Sequence, residues 1–342
     1  WMKFYILTSE NLEALKRHND PDFSNIPKED TVVVINSLNK LYINQATNYC
    51  RSKGIEYYVT ESNGTPSKGK NSVFDVFLSS ENKYFVLVDG DDFITPHGVW
   101  MYKHLETLKT PPDAVALVKQ NSLRYLNGEL LWLRPFTVNY KELLEVDHYR
   151  IFRNGVGLSP EKSRYFESLH NKYYLEQSKY SEGNEAHCRV TWFSRKAANF
   201  KFNEDVTIGE DTLHMLKLKH EALEGRLNFY TTDERPATYV YDERTYGIVM
   251  TESKQGTDYE WMDNYLVKLE EMKTEGQLHE NTLLPELKIN YPENYTYDDF
   301  DFQTTYTYNF KKNKLMFPKN ATKESVNKAY KFSKTLNTSK VA

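Results

Sequence analysis

The stretch Tyr84-Phe85-Val86-Leu87-Val88-Asp89-Gly90-Asp91-Asp92 decides the fold. A short apolar run such as residues 84–88 predicts a buried strand. It ends abruptly in three acids and a glycine. Acids at the carboxyl end of a strand sit where open α/β sheets bind ligands. Carboxylates this close repel one another unless a cation offsets them. Mg²⁺ and Mn²⁺ suit carboxylate sites that also hold substrate phosphates. The other reading is a solvated acidic turn, and these residues alone leave both open.

Upstream, strands alternate with helices. The pattern predicts strands over 3–8, 31–36 and 55–60 and helices over 11–18, 44–53 and 72–80, with Gly54 closing the second helix. This βαβαβαβ order implies a mostly parallel sheet with right-handed crossovers. Downstream, Pro96 opens a helix to about Leu108, and residues 113–118 form a further strand. Residues 121–185, with Gly128, Pro135 and a Tyr-rich stretch, read as an irregular insertion around the site. A strand over 189–193 and helices over 212–223 and 258–274 follow. Residues 281–310, rich in Tyr and Asp, read as an extended arm. The organisation expected is one catalytic domain over 2–250 and a C-terminal helical and extended extension over 251–342.

At 342 residues the chain is long enough for two domains. Trp1 ahead of Met2 reads as a foreign addition. Residues 3–8 are too short and mixed for the apolar part of a signal sequence. No stretch approaches the ~18–20 apolar residues of a membrane span, so the expectation is a soluble, cytoplasmic protein. Cys50 and Cys188 form neither a disulfide framework nor a metal spacing. The 26 tyrosines could stack on sugars or bases, or simply pack. Net charge is −4, unevenly spread. Residues 311–342 hold nine lysines and one acid, a charge of +8, leaving −12 on the rest. That tail is either a solvated segment or a contact for a polyanion.

Between the third strand and the decisive one lies Asn63-Gly64-Thr65-Pro66-Ser67-Lys68-Gly69-Lys70-Asn71. Small residues opening a helix suit close approach to a phosphate. The loop matches neither the Walker nor the GxGxxG spacing. The order of strand, Asn-Gly loop, helix, strand and Asp-x-Asp-Asp resembles the GT-A glycosyltransferases, in particular the large inverting family 2. Ser67, Gly69 and Lys70 fall on that family's serine, alanine and arginine, and Asn63 and Asn71 keep its spacing. Residues 92–96 resemble its Asp-Asp-x-x-x-Pro entry to the next helix. A second block agrees: Trp192-Phe193-Ser194-Arg195, then residues 200–213 with Glu210-Asp211. A third, residues 239–244, resembles its Tyr-rich strand. The resemblance spans about residues 3–250. There are departures: the first strand ends in Thr8-Ser9-Glu10 rather than a proline loop, and the second in Asn36-Ser37 rather than paired acids.

The resemblance implies a Rossmann-like GT-A sheet and a nucleotide-sugar donor, a UDP-sugar by preference, with Mn²⁺ or Mg²⁺. It assigns Asp91 to the metal and Asp89 to the nucleotide ribose or, through water, to the metal. Asp211 becomes the general base of an inverting transfer, with Glu210 beside it as second candidate. The donor side would draw on Thr8, Ser9, Glu10, Asn36, Asn63, Lys70 and Gly90, with Asn36 able to hydrogen-bond a uracil edge. His187 is a candidate third metal ligand, since a histidine completes the metal shell in some GT-A enzymes. Arg244 is a weaker candidate for the diphosphate, and Trp192 is either a sugar platform or a core residue. His97, just past Pro96, reads as exposed or capping, and His214 has no chemical reading. The acceptor is expected to be a glycan, such as a surface polysaccharide. An alternative is a hydroxymethylated base in DNA, which the basic tail would favour and the acidic body oppose. A non-catalytic nucleotide-sugar-binding module is a further alternative. A pyrophosphorylase is disfavoured because its Gly-rich signature after the first strand is missing.

Overall fold

The computed structural model describes residues 1–21, 24–117, 121–126, 129–133, 179–180, 189–207, 209–232, 240–242, 260–293, 307–309 and 314–316. A seven-stranded sheet is its centre. The strands are β1 (Met2–Thr8), β2 (Thr31–Asn36), β3 (Glu56–Thr60), β4 (Tyr84–Asp89), β5 (Ala114–Leu117), β8 (Arg189–Ser194) and β9 (Phe229–Thr232), in the order β3-β2-β1-β4-β8-β5-β9. Strands β1 to β4 run parallel. Strand β8 is antiparallel to both β4 and β5, so β5 and its parallel partner β9 point the same way as β4. The α/β expectation of a mostly parallel sheet flanked by helices therefore holds, with β8 the one reversed strand.

Alternation along each strand builds two cores. Tyr5, Val32, Val34, Phe85, Leu87 and Phe193 face one side. There they meet α3 (Pro66–Leu78), α5 (Glu210–Leu223) and α6 (Glu260–Thr274) through Phe74, Leu213, Leu216, Tyr265 and Leu269. Phe4, Ile6, Val33, Ile35, Val86, Val88 and Trp192 face the other side. They meet α1 (Leu12–Arg17), α2 (Lys40–Lys53) and α4 (Pro96–Glu106) through Leu15, Ala46, Cys50, Tyr102 and Leu105. All of β2 is buried, as befits a central strand covered on both faces. Strand β3 is exposed along much of its length, and Glu56 at this edge binds Lys3.

Several boundaries differ from expectation. Helix α2 starts at Lys40 because the Asn39 side chain accepts from Leu41 and Tyr42 N–H. Helix α3 starts at Pro66, six residues ahead of the expected start at 72, because Thr65 caps the Lys68 N–H and Pro66 takes the first helical position. Part of the irregular insertion is regular: β6 (Asn121–Leu126) and β7 (Glu129–Leu133) form a hairpin, and β10 (Val240–Asp242) pairs parallel with β6. The arm also joins the body, since Leu287 N–H donates to Thr231 O and Leu284 is in the core. A last hairpin joins β11 (Thr307–Asn309) and β12 (Lys314–Met316). Among the described residues no helix is long and apolar enough to cross a membrane.

Candidate active site

The sheet order has its topological switch point between β1 and β4. From β1 the chain crosses to β2 on one side, and β4 returns on the other. Ligands of open α/β sheets bind at the carboxyl ends of the strands at such a point. Thr8 and Asp89 end the two strands concerned. The backbone there is drawn very tight, with Gly90 N–H donating to Leu7 O at 2.6 Å. Asp92 N–H closes the acidic turn onto Asp89 O at 3.0 Å. Asp89 and Asp91 are half-buried, while Asp92 is buried at 1% exposure and leads into the buried Phe93 and Ile94.

The turn is braced from beneath by two residues that the sequence reading missed. Arg17 donates to Asp91 O at 2.9 Å and lies over the Phe93 ring. His18 Nε2 sits 3.3 Å from Gly90 O, and since a carbonyl only accepts, that nitrogen carries the proton. Burial, then the Arg17 charge, pulls the His18 pKa down to about 3, so the ring is neutral. Its Nδ1 is buried with no hydrogen-bond partner among the described residues.

Elsewhere at this end of the sheet, Thr8 is buried and hydrogen-bonded to the Tyr42 hydroxyl, while Ser9 and Glu10 are exposed. Asn36 is buried, and its amide nitrogen is directed at Thr60 Oγ1, Glu61 O and Ser72 Oγ. Exposed Asn63 holds the turn into α3 by accepting from the Thr65 N–H and hydroxyl. Trp192 is a core residue, stacked on Tyr84 with its ring N–H on Pro112 O. His97 is buried against Trp100 and Tyr291 rather than exposed, because the arm residue Tyr291 covers it, and His214 is buried as well.

Helix α3 joins the two sequence blocks into one unit. Ser67 Oγ donates to Val206 O at 2.9 Å. Asn71 exchanges hydrogen bonds with the Phe202 backbone, Nδ2 to O at 3.0 Å and N–H to Oδ1 at 2.8 Å, and also reaches Glu204. Lys70 Nζ lies 2.7 Å from Glu210 and 2.5 Å from Asp211. The two acids start α5, where the helix dipole favours negative charge. They differ in access: the Asp211 side chain is 44% exposed, against 9% for Glu210. Burial raises the Glu210 pKa against the opposing charge of Lys70, with Asp211 adding to the rise. Asp211 is thus the acid open to solvent, and Lys70 ties it to its buried neighbour.

Leu7 links the acidic turn to the helix that carries Lys70. Leu7 accepts from Gly90, and its side chain lies 3.1 Å from the place a Cβ on Gly69 would occupy, one residue before Lys70. Asp89 and Asp91 offer only oxygen donors, the chemistry that suits a hard divalent cation. His187, Arg244 and residues 317–342 of the tail lie outside the described residues.

No protein-family model and no curated protein matches the sequence. Solved structures of similar architecture include S. aureus TarS 1–349 in complex with UDP-GlcNAc, with 14% identity, a TM-score of 0.46 and 78% of this chain covered. Mannosyltransferase PcManGT from Pyrobaculum calidifontis in complex with GDP-Man and Mn²⁺ is another, with 11% identity, a TM-score of 0.42 and 78% covered. The chain spans 65% and 64% of the length of these two structures, just under two thirds.

Proposed function

We propose that the chain is a metal-dependent glycosyltransferase moving a sugar from a UDP-sugar to a glycan hydroxyl with inversion. One observation carries the reading: an acidic turn at the switch point and a lysine-tied acid pair sit at the same end of one sheet, with Leu7 bonded to Gly90 of the turn and packed beside Gly69, the residue before Lys70. In this reading Asp91 and Asp89 hold the cation at the donor diphosphate, and His187 is the candidate third ligand. When bound, the cation neutralises charge developing on the leaving diphosphate. Asp211 takes the acceptor proton as the acceptor oxygen attacks the anomeric carbon and the bond to the diphosphate breaks. A single displacement with no enzyme nucleophile inverts that carbon. Lys70 orients Asp211, and Glu210 anchors Lys70.

The test is a panel of nucleotide sugars screened by thermal shift with and without Mn²⁺. A UDP-sugar should stabilise the protein only with metal, and Asp91→Asn should abolish the effect. Asp211→Asn should keep the shift and lower transfer at least about 10²-fold. Stabilisation indifferent to metal and to Asp91→Asn would remove the donor site. Unchanged turnover in Asp211→Asn would remove the base. Transfer to hydroxymethylated DNA instead of glycans would move the acceptor to the alternative class.

A further inference from the structure

Far along α5 from its acid pair, His220, Glu224 and His279 converge, one ligand atom of each within 4.8 Å of the others. Glu224 caps the C-terminus of α5, four residues after His220, and its backbone N–H still donates to His220 O. His279 comes from the turn after α6, where Gln277 N–H closes onto Met272 O at 2.8 Å. His220 Nδ1 and His279 Nε2 are 2.9 Å apart. Two imidazoles and one carboxylate are a donor set of the zinc class. Bonds of ~2.0–2.1 Å in a tetrahedron put neighbouring ligand atoms ~3.3 Å apart. The histidine pair needs to open by only a few tenths of an ångström. Glu224, whose contact with Arg226 is a loose 3.8 Å, can swing inward.

We propose that His220, Glu224 and His279 bind a divalent transition-metal ion of the zinc class, with water in the fourth position, separate from the acidic turn at the switch point. The site fastens the C-terminal end of α5 to the end of α6. At the other end of α5, Tyr265 of α6 already lies against Gly209. Metal binding then clamps α5 at both ends and holds the helix that presents Asp211. Without metal, the two rings hydrogen-bond each other, one nitrogen protonated and the other accepting.

The experiment is calorimetric titration of the metal-stripped full chain with Zn²⁺ alone. One equivalent should bind, raise the unfolding temperature and survive Asp91→Asn. His279→Gln should weaken that binding at least about tenfold and cancel the rise. Glu224→Gln, at an exposed position with no role in packing, should weaken it too, so a folding defect in the histidine variant cannot hide the outcome. Co²⁺ in place of Zn²⁺ should give the strong visible absorption of a tetrahedral site, lost in both variants. Absence of Zn²⁺ binding in the parent protein, or binding unchanged in both variants, would overturn the site.

Discussion

A methyl group on Gly90 would sit 2.7 Å from the Leu7 carbonyl oxygen and 2.8 Å from Thr8 Cβ. Both neighbours belong to β1, whose ladder with β4 runs up to the pair Leu7 and Asp89. The glycine is therefore required by closeness at the point where two strand ends meet. Gly90→Ala should push the acidic turn away from β1 and destabilise the protein by about 1–3 kcal/mol, as overpacking does. It should also weaken Mn²⁺-dependent stabilisation by a nucleotide sugar. Urea unfolding and the thermal-shift screen read the two effects separately. A variant matching the parent in both would show that the turn tolerates the displacement. At this scale the placement of Asp89 and Asp91 at the end of β4 and of Asp211 at the start of α5 was legible in the sequence, because acids clustered at element ends stand out against apolar runs. Arg17 and His18 were not. Their contacts lie 72–74 residues away along the chain, and nothing in Leu15-Lys16-Arg17-His18 announces a brace for a distant turn.

Helix α5 shows the same limit one level up. Its existence was legible from its pattern, but its start was placed at residue 212, two residues past the observed Glu210. The residue before it, Gly209, has φ = 84° and no side chain to cap the helix. A Cβ there would lie 2.5 Å from the Tyr265 ring, which is fully buried. Gly209→Ala should therefore cost about 1–2 kcal/mol for the left-handed backbone and more for the clash. Tyr265→Ala alone should cost about 3–5 kcal/mol. In the double variant the clash disappears, so the losses should fall short of their sum. Strict additivity in urea unfolding would show that the ring does not fix the helix start. Helix α3 was placed too late because Gly64, Ser67 and Gly69 read as loop. The small residues Ser67 and Gly69 are there because α3 passes close to Leu7 and the backbone near Val206. The reversal of β8 had no local signal, since sheet direction is set by which distant strands pair, whereas β9 had one in the strand formers Phe229-Tyr230-Thr231-Thr232, which the sequence reading missed.

Across the whole molecule, acid stability follows from histidines buried in neutral form on opposite faces of the sheet. His97 packs beside Trp100 and Tyr291, which also stack on each other, and burial lowers its pKa to about 4. His214 stacks on Phe202 and donates to Phe200 O at 2.7 Å. Its pKa is also about 4, with burial the main cause and the Phe200 carbonyl opposing it. In the unfolded chain both titrate near 6.5. Between pH 6.5 and 4 the unfolded state binds more protons, so stability is complete above that window and falls as pH drops through it. Each histidine should remove up to ~1.4 kcal/mol per pH unit, or about 2 kcal/mol by pH 5. Glu210, whose pKa burial raises, acts in the opposite sense, since its protonation relieves a buried charge. With His18, whose pKa burial lowers further still, three histidines against one acid leave a net loss. His97→Phe keeps the aromatic stack and cannot titrate. Its urea-unfolding free energy should therefore fall less steeply between pH 6.5 and 5 than that of the parent, by up to ~1.4 kcal/mol per unit. Parallel pH profiles for variant and parent would show that His97 is protonated in the fold, and that the stack with Trp100 and Tyr291 accommodates an imidazolium.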